Sequence, residues 1–132
     1  EDGEYMVVVG PSGAGKTVLL ESIAGLYPPR RGEIRLRGRD VTRLCPEQRS
    51  VGIVYQDHAL FPHLSVQDNI LFGLRMRRTG KKQTRDAFSR MVDLFNIEAL
   101  LDRDPSTLSG GEQQKVALAR ALCVSPDVLL LD

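Results

Sequence analysis

The residues best suited to chemistry in this 132-residue sequence form one stretch, Gly10-Pro11-Ser12-Gly13-Ala14-Gly15-Lys16-Thr17. An apolar, β-branched run precedes it at 5–9, and residues 16–24 show helical spacing of leucine and isoleucine. We therefore expect the stretch to join a buried strand to a helix. There, glycine lets backbone amides curl around an anion, and the helix N-terminus adds partial positive charge. Lys16 can then reach the β- and γ-phosphates of a nucleotide, and the Thr17 hydroxyl can bind Mg²⁺.

The alternative for this stretch is a flexible glycine-rich turn between a strand and a helix. Such a turn has no need of lysine and threonine directly after it, whereas phosphate binding requires both. The sequence therefore favours nucleotide binding.

Composition narrows the class of protein. A hydrophobic content of 42% with 27% charged residues is typical of a soluble globular domain, so disorder is not expected. The net charge of +1 gives no electrostatic indication of nucleic-acid binding. Basic residues do cluster over 75–85, but such a run usually forms a solvated helix face.

Cysteine usage and hydropathy bear on the compartment. Cys45 and Cys123 show no metal-ligand spacing and suit a reducing cytosol. The longest apolar run, 128–131, is far too short to span a membrane. We expect any membrane association to occur through a partner.

The middle of the sequence alternates predicted strands and helices. The first helix should end at Gly25, a residue that readily takes the left-handed stop conformation. A half-buried strand is expected over 32–38 and a second short strand over 51–55. Ser65 and Asp68 have cap spacing at the start of a helical region predicted over 65–103.

The last part of the sequence predicts a capped helix followed by a buried strand. Ser109 and Glu112 have capping-box spacing, and the helix should continue to about Val124. Four consecutive apolar residues at 128–131 predict a strand covered on both faces, as in a parallel sheet between helices. Asp132 ends this strand, at the edge where open α/β sheets bind ligands. With a phosphate loop upstream, we predict that Asp132 helps to hold Mg²⁺ rather than serving as an ordinary surface carboxylate.

The segment Leu108-Ser109-Gly110-Gly111-Glu112-Gln113-Gln114 resembles the signature sequence of the ATP-binding cassette (ABC) family. Read by itself, it is a capped helix N-terminus that could hold an anion. GPSGAGKT is similar to that family's Walker A motif, residues 128–132 resemble its Walker B motif, and Gln56 resembles its Q-loop glutamine. The resemblance covers the whole chain.

This resemblance implies an α/β fold, with a P-loop NTPase core, a mostly parallel sheet and an inserted helical subdomain. The core would occupy 1–64, the helical subdomain 65–103, and the signature helix with the Walker B strand 104–132. Both ends would be truncated. The family's catalytic glutamate, switch histidine and D-loop would follow Asp132, and its adenine-stacking aromatic would precede Glu1. Tyr5 is not assigned to the adenine, because it lies within the predicted first strand.

The resemblance also implies the cofactors ATP and Mg²⁺ and a set of site residues. The nucleotide phosphates would be bound by Gly10, Pro11, Ser12, Gly13, Ala14, Gly15, Lys16 and Thr17. Lys16 and Gln56 would be catalytic, and Mg²⁺ would be held by Thr17, Gln56 and Asp132. Because the family's cassettes pair head to tail, Ser109 and Gly111 would contact the γ-phosphate of the partner's nucleotide. Gly110 belongs to the same nucleotide-binding set.

The function implied is an ATP-binding subunit that couples ATP binding and hydrolysis to import of a small solute. Its partners would be a second ATPase subunit, transmembrane permease subunits and a solute-binding protein, without nucleic acid. Its location would be the cytoplasmic face of the cell membrane. Within the family, the runs GAGKTVLLE and LFPHLSV most resemble molybdate/tungstate importers. Without the family's glutamate and histidine, this piece alone would hydrolyse ATP poorly or not at all.

The segment 57–64 resembles the part of import-type cassettes near the groove that receives the permease's coupling helix. Leu60 and Phe61 would make apolar contacts there, and packing beneath the helical insert is an equal alternative. His58 and His63 are expected at the surface rather than as ligands.

Two other functions would leave different features in the sequence. A soluble ABC-type ATPase acting on DNA or ribosomes would have tandem cassettes or a long coiled-coil insert, and the insert over 65–103 is too short for the latter. A small-molecule kinase would need a lid and an acceptor site in place of the LSGGEQQ segment.

Overall fold

The computed structural model describes residues 3–132, so the first two residues of the predicted core lie outside it. The chain forms two compact units, one made of the residues up to Arg49 together with Asp132, and the other of Ser50–Leu131. Helices and short strands occur in both units, which confirms the predicted α/β class.

Helix α1 of the first unit spans Lys16–Ala24 and ends at Gly25, whose φ of 94° is the predicted left-handed stop. Arg49, only 4% exposed, lies against this end of the helix. Its Nη1 donates to the carbonyl oxygens of Ser22 at 2.8 Å and Ile23 at 3.0 Å. A Cβ atom on Gly25 would lie 2.6 Å from Arg49 Nε. Gly25 therefore ends the helix and also leaves room for the guanidinium that caps it.

A short hairpin follows α1 in the first unit. Strands β1 (Arg35–Leu36) and β2 (Arg39–Asp40) pair antiparallel. Between them, Arg37 and Gly38 have φ values of 49° and 76°, as a two-residue type I′ turn requires. The strand predicted over 32–38 is therefore shorter than expected, because the chain reverses inside the predicted range.

The segment 5–9 is not the buried strand that its apolar residues predict. Tyr5 is 97% exposed and Val9 is 88% exposed. No strand among the described residues pairs with this segment. Strand backbone is held by a hydrogen-bonded ladder, and an apolar run without a neighbouring strand does not form one. The prediction of a strand directly before the glycine-rich loop is wrong for this structure, whereas the helix after the loop is confirmed.

The second unit is built on three helices, α2 (Val66–Met76), α3 (Lys81–Phe95) and α4 (Gly110–Cys123). All three lie in regions predicted to be helical, and Ser65 Oγ accepts from Asp68 N at 3.1 Å as the predicted cap of α2. The helices surround one apolar cluster. Its buried members are Val66, Ile70, Leu74, Met91, Ile97, Leu108, Val116, Ala119 and Cys123. Short 3₁₀ turns lie at Glu98–Leu100 and Pro105–Thr107 in this unit and at Pro46–Gln48 in the first unit.

The parallel part of the fold is the pair of strands β3 (Val51–Val54) and β4 (Val128–Leu131), which match along their whole lengths. Both were predicted as strands. Leu130 is 8% exposed, but Leu131 is 60% exposed, so burial of β4 on both faces is wrong at its carboxyl end. Among the described strands, β4 has β3 as its one neighbour, so its other edge is unpaired. In residues 3–132 the structure has two separate two-stranded sheets, the parallel β3–β4 pair and the antiparallel β1–β2 hairpin, in place of one mostly parallel sheet.

Within the part of the chain that the structure describes, no helix combines the length and hydropathy needed to cross a bilayer. The predicted helical subdomain, 65–103, contains α2 and α3, and the predicted signature segment contains α4. The division into segments 1–64, 65–103 and 104–132 stays a prediction.

Candidate nucleotide-binding site

The predicted phosphate loop is closed by the side chain of the lysine that follows it. Lys16 Nζ donates to the carbonyl oxygens of Gly10 and Pro11, both at 2.9 Å. These two bonds bring the beginning of the loop back to the start of α1. The ammonium group is thereby held at the loop, where a polyphosphate would need a cation.

The N-terminus of α1 offers backbone donors to an anion. Gly13 and Gly15 have φ values of 81° and 89°, which residues with a Cβ rarely adopt. Gly15 is the N-cap and brings no capping side chain, and the first turn of α1 contains no acidic residue. Among residues 3–132, the amides of Lys16 and Thr17 have no protein acceptor. These free donors and the helix dipole together suit a phosphate group.

Thr17 and Asp132, both predicted Mg²⁺ ligands, lie in contact. Thr17 Oγ1 donates to Asp132 Oδ1 at 3.0 Å and to Oδ2 at 2.9 Å. A hydroxyl and a carboxylate are hard oxygen donors, and Mg²⁺ commonly takes one or two such protein ligands together with water and phosphate oxygens. The residues present therefore fit Mg²⁺. In the described chain, no group of three or more His, Cys, Asp or Glu residues could hold a metal ion by itself.

Gln56, the third predicted Mg²⁺ ligand, is exposed and lies two residues beyond β3 in the second unit. Its roles at the γ-phosphate and the metal stay predictions. Nearby, Leu60 packs against the apolar cluster of the second unit. This agrees with the alternative in which the residue packs beneath the helical insert. His63 is exposed as expected, whereas His58 is half-buried.

The signature segment forms the capped N-terminus of α4. Ser109 Oγ accepts from Glu112 N at 3.4 Å, and Ser109 N donates to Glu112 Oε2 at 2.7 Å, which confirms the predicted capping box. The Ser109 hydroxyl also donates to Glu112 Oε2 at 2.7 Å, and this bond together with that from the Ser109 amide holds the pKa of the Glu112 carboxyl below its usual value. Gly110 and Gly111 are exposed, and a Cβ atom on either would meet no atom within 4 Å.

The sequence reasoning missed three polar residues that organise the two units: Arg49, Asn69 and Arg120. Asn69 is fully buried, and its side chain bonds the backbone of Phe61 at both N and O. Arg120 on α4 donates to backbone oxygens after Gln56. The sequence held a signal for two of them. Asn69 follows Val66 by three positions, and Arg120 follows Val116 by four. These spacings put them on apolar helix faces.

A glycine-rich loop closed by its lysine, a helix N-terminus with free amides and a hydroxyl–carboxylate pair define a nucleotide-binding domain of the P-loop class. The chain belongs to the ABC transporter family, whose family model matches residues 1–132. This confirms the family indicated by the LSGGEQQ segment.

Curated relatives match almost the whole chain. The molybdate/tungstate import ATP-binding protein of Pyrococcus horikoshii is 52% identical over 131 residues, which cover 99% of this chain and 38% of the relative. The protein of that name from Archaeoglobus fulgidus is 54% identical over 129 residues, covering 98% of this chain and 53% of the relative. The spermidine/putrescine import ATP-binding protein of Frankia alni is 51% identical over 130 residues, covering 98% of this chain and 28% of the relative. The chain thus spans about half or less of the length of these relatives.

Proposed function

We propose that this chain is part of the ATP-binding subunit of an ABC importer, which couples ATP binding and hydrolysis to uptake of a small solute. The observation that carries the proposal is the contact of Thr17 with Asp132, both of whose carboxylate oxygens accept from the threonine hydroxyl. Because Thr17 directly follows Lys16, this oxygen pair, which is suited to Mg²⁺, lies next to the loop that the lysine closes. ATP with Mg²⁺ is the ligand that uses both features.

In this proposal each loop residue acts through charge or a hydrogen bond. The loop 10–15 and the amides that open α1 bind phosphate oxygens, and the Lys16 ammonium neutralises their charge. Thr17 and Asp132 hold Mg²⁺, which supplies further charge neutralisation when it is bound. Gln56 assists at the γ-phosphate. Lys16 and Gln56 are the residues of this chain proposed to contribute to hydrolysis.

A second part of the proposal assigns the signature segment to a nucleotide held by a second ATPase subunit. A helix position occupied by glycine rather than alanine costs about 1 kcal/mol. Packing within this chain does not account for that cost at Gly110 and Gly111, since a Cβ atom at either position would have open space around it. Close approach of a ligand from outside accounts for it. We therefore propose that Ser109, Gly110 and Gly111 bind the γ-phosphate of the partner's ATP.

The remaining partners in this proposal are permease subunits and a solute-binding protein, with the subunit at the cytoplasmic face of the membrane. The relatives' names support an importer over a soluble ABC-type ATPase acting on nucleic acid or ribosomes, because those names specify import. Molybdate or tungstate is the narrower substrate proposal. It rests on relatives 51–54% identical that bear this name, beside a spermidine/putrescine relative of 51%.

The test measures ATP binding and hydrolysis by the full-length protein. Lys16→Ala should weaken ATP binding about tenfold or more, and should abolish hydrolysis, because it removes the cation at the loop. Lys82→Ala, at an exposed lysine of α3, is the matched control and should change neither quantity. Wild-type ATP affinity and hydrolysis in Lys16→Ala would refute the proposal.

A further inference from the structure

Arg120 of α4 binds the chain segment that follows Gln56. Its Nη1 donates to Ala59 O at 3.0 Å, and its Nη2 donates to His58 O at 3.3 Å. The guanidinium carbon also lies 4.9 Å from the centroid of the Phe61 ring, within the range of a cation–π contact. One side chain thus contacts three residues of this segment, His58, Ala59 and Phe61, and all of these contacts lie inside the second unit.

The segment that Arg120 holds, residues 57–60, is here called the 57–60 turn. His58 and Ala59 have φ values of 61° and 39°, both in the left-handed region that residues with a Cβ disfavour. The Nδ1 atom of His58 is buried and has no hydrogen-bond partner among the described residues. Strained backbone of this kind persists only where surrounding contacts hold it. The 57–60 turn therefore depends on its external contacts. These include the two hydrogen bonds from Arg120, a bond of 2.9 Å from His58 N to Tyr55 O, and packing of Leu60 on the apolar cluster.

A second side chain, Asn69, holds the residues that follow the 57–60 turn, so the contacts made by Asn69 and by Arg120 fall on different parts of the chain. Asn69 of α2 accepts from Phe61 N at 2.8 Å and donates to the carbonyl oxygens of Phe61 and Leu64. Asn69 therefore fixes the chain from Phe61 onward to α2. The 57–60 turn, between Gln56 and Phe61, is held to α4 by Arg120.

The Arg120 charge is compensated without a carboxylate. In residues 3–132 it forms no ion pair, and it donates to backbone carbonyls and, at a longer distance of 3.5 Å, to Asn69 Oδ1. Burial lowers the pKa of the guanidinium from its usual value. A partly desolvated cation of this kind keeps its carbonyl partners, because separation would leave the charge uncompensated.

We propose that Arg120 is a positioning residue that sets the 57–60 turn, and with it Gln56, according to the position of α4. Ser109 lies on the same helix, eleven positions earlier and about 16 Å away along its axis. A displacement of α4 when Ser109 engages a nucleotide is thereby passed to the turn. This second step rests on the proposed function, whereas the fixing of the turn by Arg120 does not.

The first experiment measures hydrogen exchange of the full-length protein without nucleotide. Arg120→Met removes the guanidinium donors but keeps an apolar side chain, and Arg120→Lys keeps one cationic donor. We expect exchange over 57–60 to accelerate about tenfold in Arg120→Met and less in Arg120→Lys, with α3 unchanged. Arg85→Met, at an exposed arginine of α3, is the control and should alter neither region. Unchanged exchange over 57–60, or equal acceleration in α3, would overturn the proposal.

The second experiment measures ATP hydrolysis by the same proteins. We expect kcat to fall about tenfold in Arg120→Met, KM for ATP to change less than about twofold, and Arg120→Lys to recover part of the rate. A purely structural role would instead lower thermal stability and raise KM together, and that result, like a wild-type kcat, would overturn the proposal. If Arg120→Met does not fold, Arg120→Lys decides by the same two measurements. Wild-type protein without ATP binding would refute the proposed function, while the exchange experiment would still decide whether Arg120 fixes the turn.

Discussion

Thr17 Oγ1 donates to both carboxylate oxygens of Asp132, at 3.0 Å and 2.9 Å, although the two residues are 115 positions apart in the sequence. Thr17 belongs to the first turn of α1, and Asp132 directly follows the last residue of β4. The contact puts a neutral oxygen donor and an anionic one side by side. It does so next to the lysine that closes the glycine-rich loop.

This pair predicts how ATP binding depends on Mg²⁺. Thr17→Val keeps the side-chain shape but removes the hydroxyl, so we expect ATP affinity in Mg²⁺ to fall about tenfold while affinity in EDTA stays unchanged. Thr17→Ser keeps the hydroxyl and is the control. Titration of the full-length protein with a fluorescent ATP analogue, with Mg²⁺ or with EDTA, measures the difference. An equal loss of affinity in both buffers would contradict a role of Thr17 at the metal.

The open space around Gly111 predicts opposite effects on stability and on pairing of subunits. A Cβ atom at this position would meet nothing within 4 Å. Because alanine is more favourable than glycine inside a helix by about 1 kcal/mol, Gly111→Ala should stabilise α4. If the partner's nucleotide approaches this glycine, the same methyl group should weaken nucleotide-driven dimerisation. Urea unfolding and sedimentation with a non-hydrolysable ATP analogue measure the two quantities.

A matched control for Gly111→Ala is Ser89→Ala, at an exposed position of α3. It raises helix propensity without touching the signature segment, so it should stabilise the protein slightly and leave dimerisation unchanged. Ser109→Arg should block dimerisation while monomer affinity for nucleotide stays nearly intact. Normal dimerisation of both Gly111→Ala and Ser109→Arg would rule out the proposed contact across the subunit interface.

Local patterns predicted most helices and their ends. The helical region predicted over 65–103 contains α2 and α3, the capping-box spacing predicted α4, and the cap residues Ser65 and Ser109 make the hydrogen bonds that their spacing predicted. The family resemblance and the strand-end position of the aspartate assigned Thr17 and Asp132 to one metal site, and the structure places the two side chains in contact. These features depend on neighbours in the sequence or on a known motif, so sequence alone is sufficient for them.

The failures concern contacts that local patterns do not contain. The segment 5–9 has strand composition, yet no described strand lies beside it, and strand formation needs a partner. Arg49 was not recognised, because its acceptors on α1 lie 26 and 27 positions earlier in the sequence. Arg120 reaches carbonyls 61 and 62 positions away. Such bonds are set by tertiary packing, which a reading of periodicity and motifs does not supply.

The close approach of Arg49 to Gly25 predicts a stability difference between two glycines. Gly25 and Gly32 have similar φ values, 94° and 87°, so alanine is strained at both positions. A Cβ atom at Gly25 would lie 2.6 Å from Arg49 Nε, whereas one at Gly32 would meet nothing within 4 Å. We expect Gly25→Ala to cost about 3 kcal/mol and Gly32→Ala about 1 kcal/mol, because only the former displaces the buried guanidinium. Urea unfolding compares them, and equal losses would contradict the role of Arg49.

The Ser109–Glu112 capping box predicts a pH dependence of stability. Hydrogen bonds from the Ser109 hydroxyl and amide, with smaller contributions from Arg103 and Lys115, hold the pKa of Glu112 below its usual 4.5 in the folded protein. A carboxyl whose pKa is lower in the folded state stabilises the fold above its unfolded pKa, and this stabilisation is lost as pH falls through the folded pKa. Acidification below pH 4.5 should therefore weaken the N-terminus of α4.

Glu112→Gln isolates this contribution, because glutamine keeps an acceptor for the Ser109 amide but does not titrate in this range. Asp40 and Asp104 also have lowered pKa values, and their contributions are common to both proteins. We expect the free energy of unfolding of the wild-type protein to fall more steeply than that of Glu112→Gln as pH drops below 4.5, the usual pKa of this carboxyl. Urea unfolding at a series of pH values measures both slopes. Parallel slopes would show that the Glu112 carboxylate adds no pH-dependent stability at the start of α4.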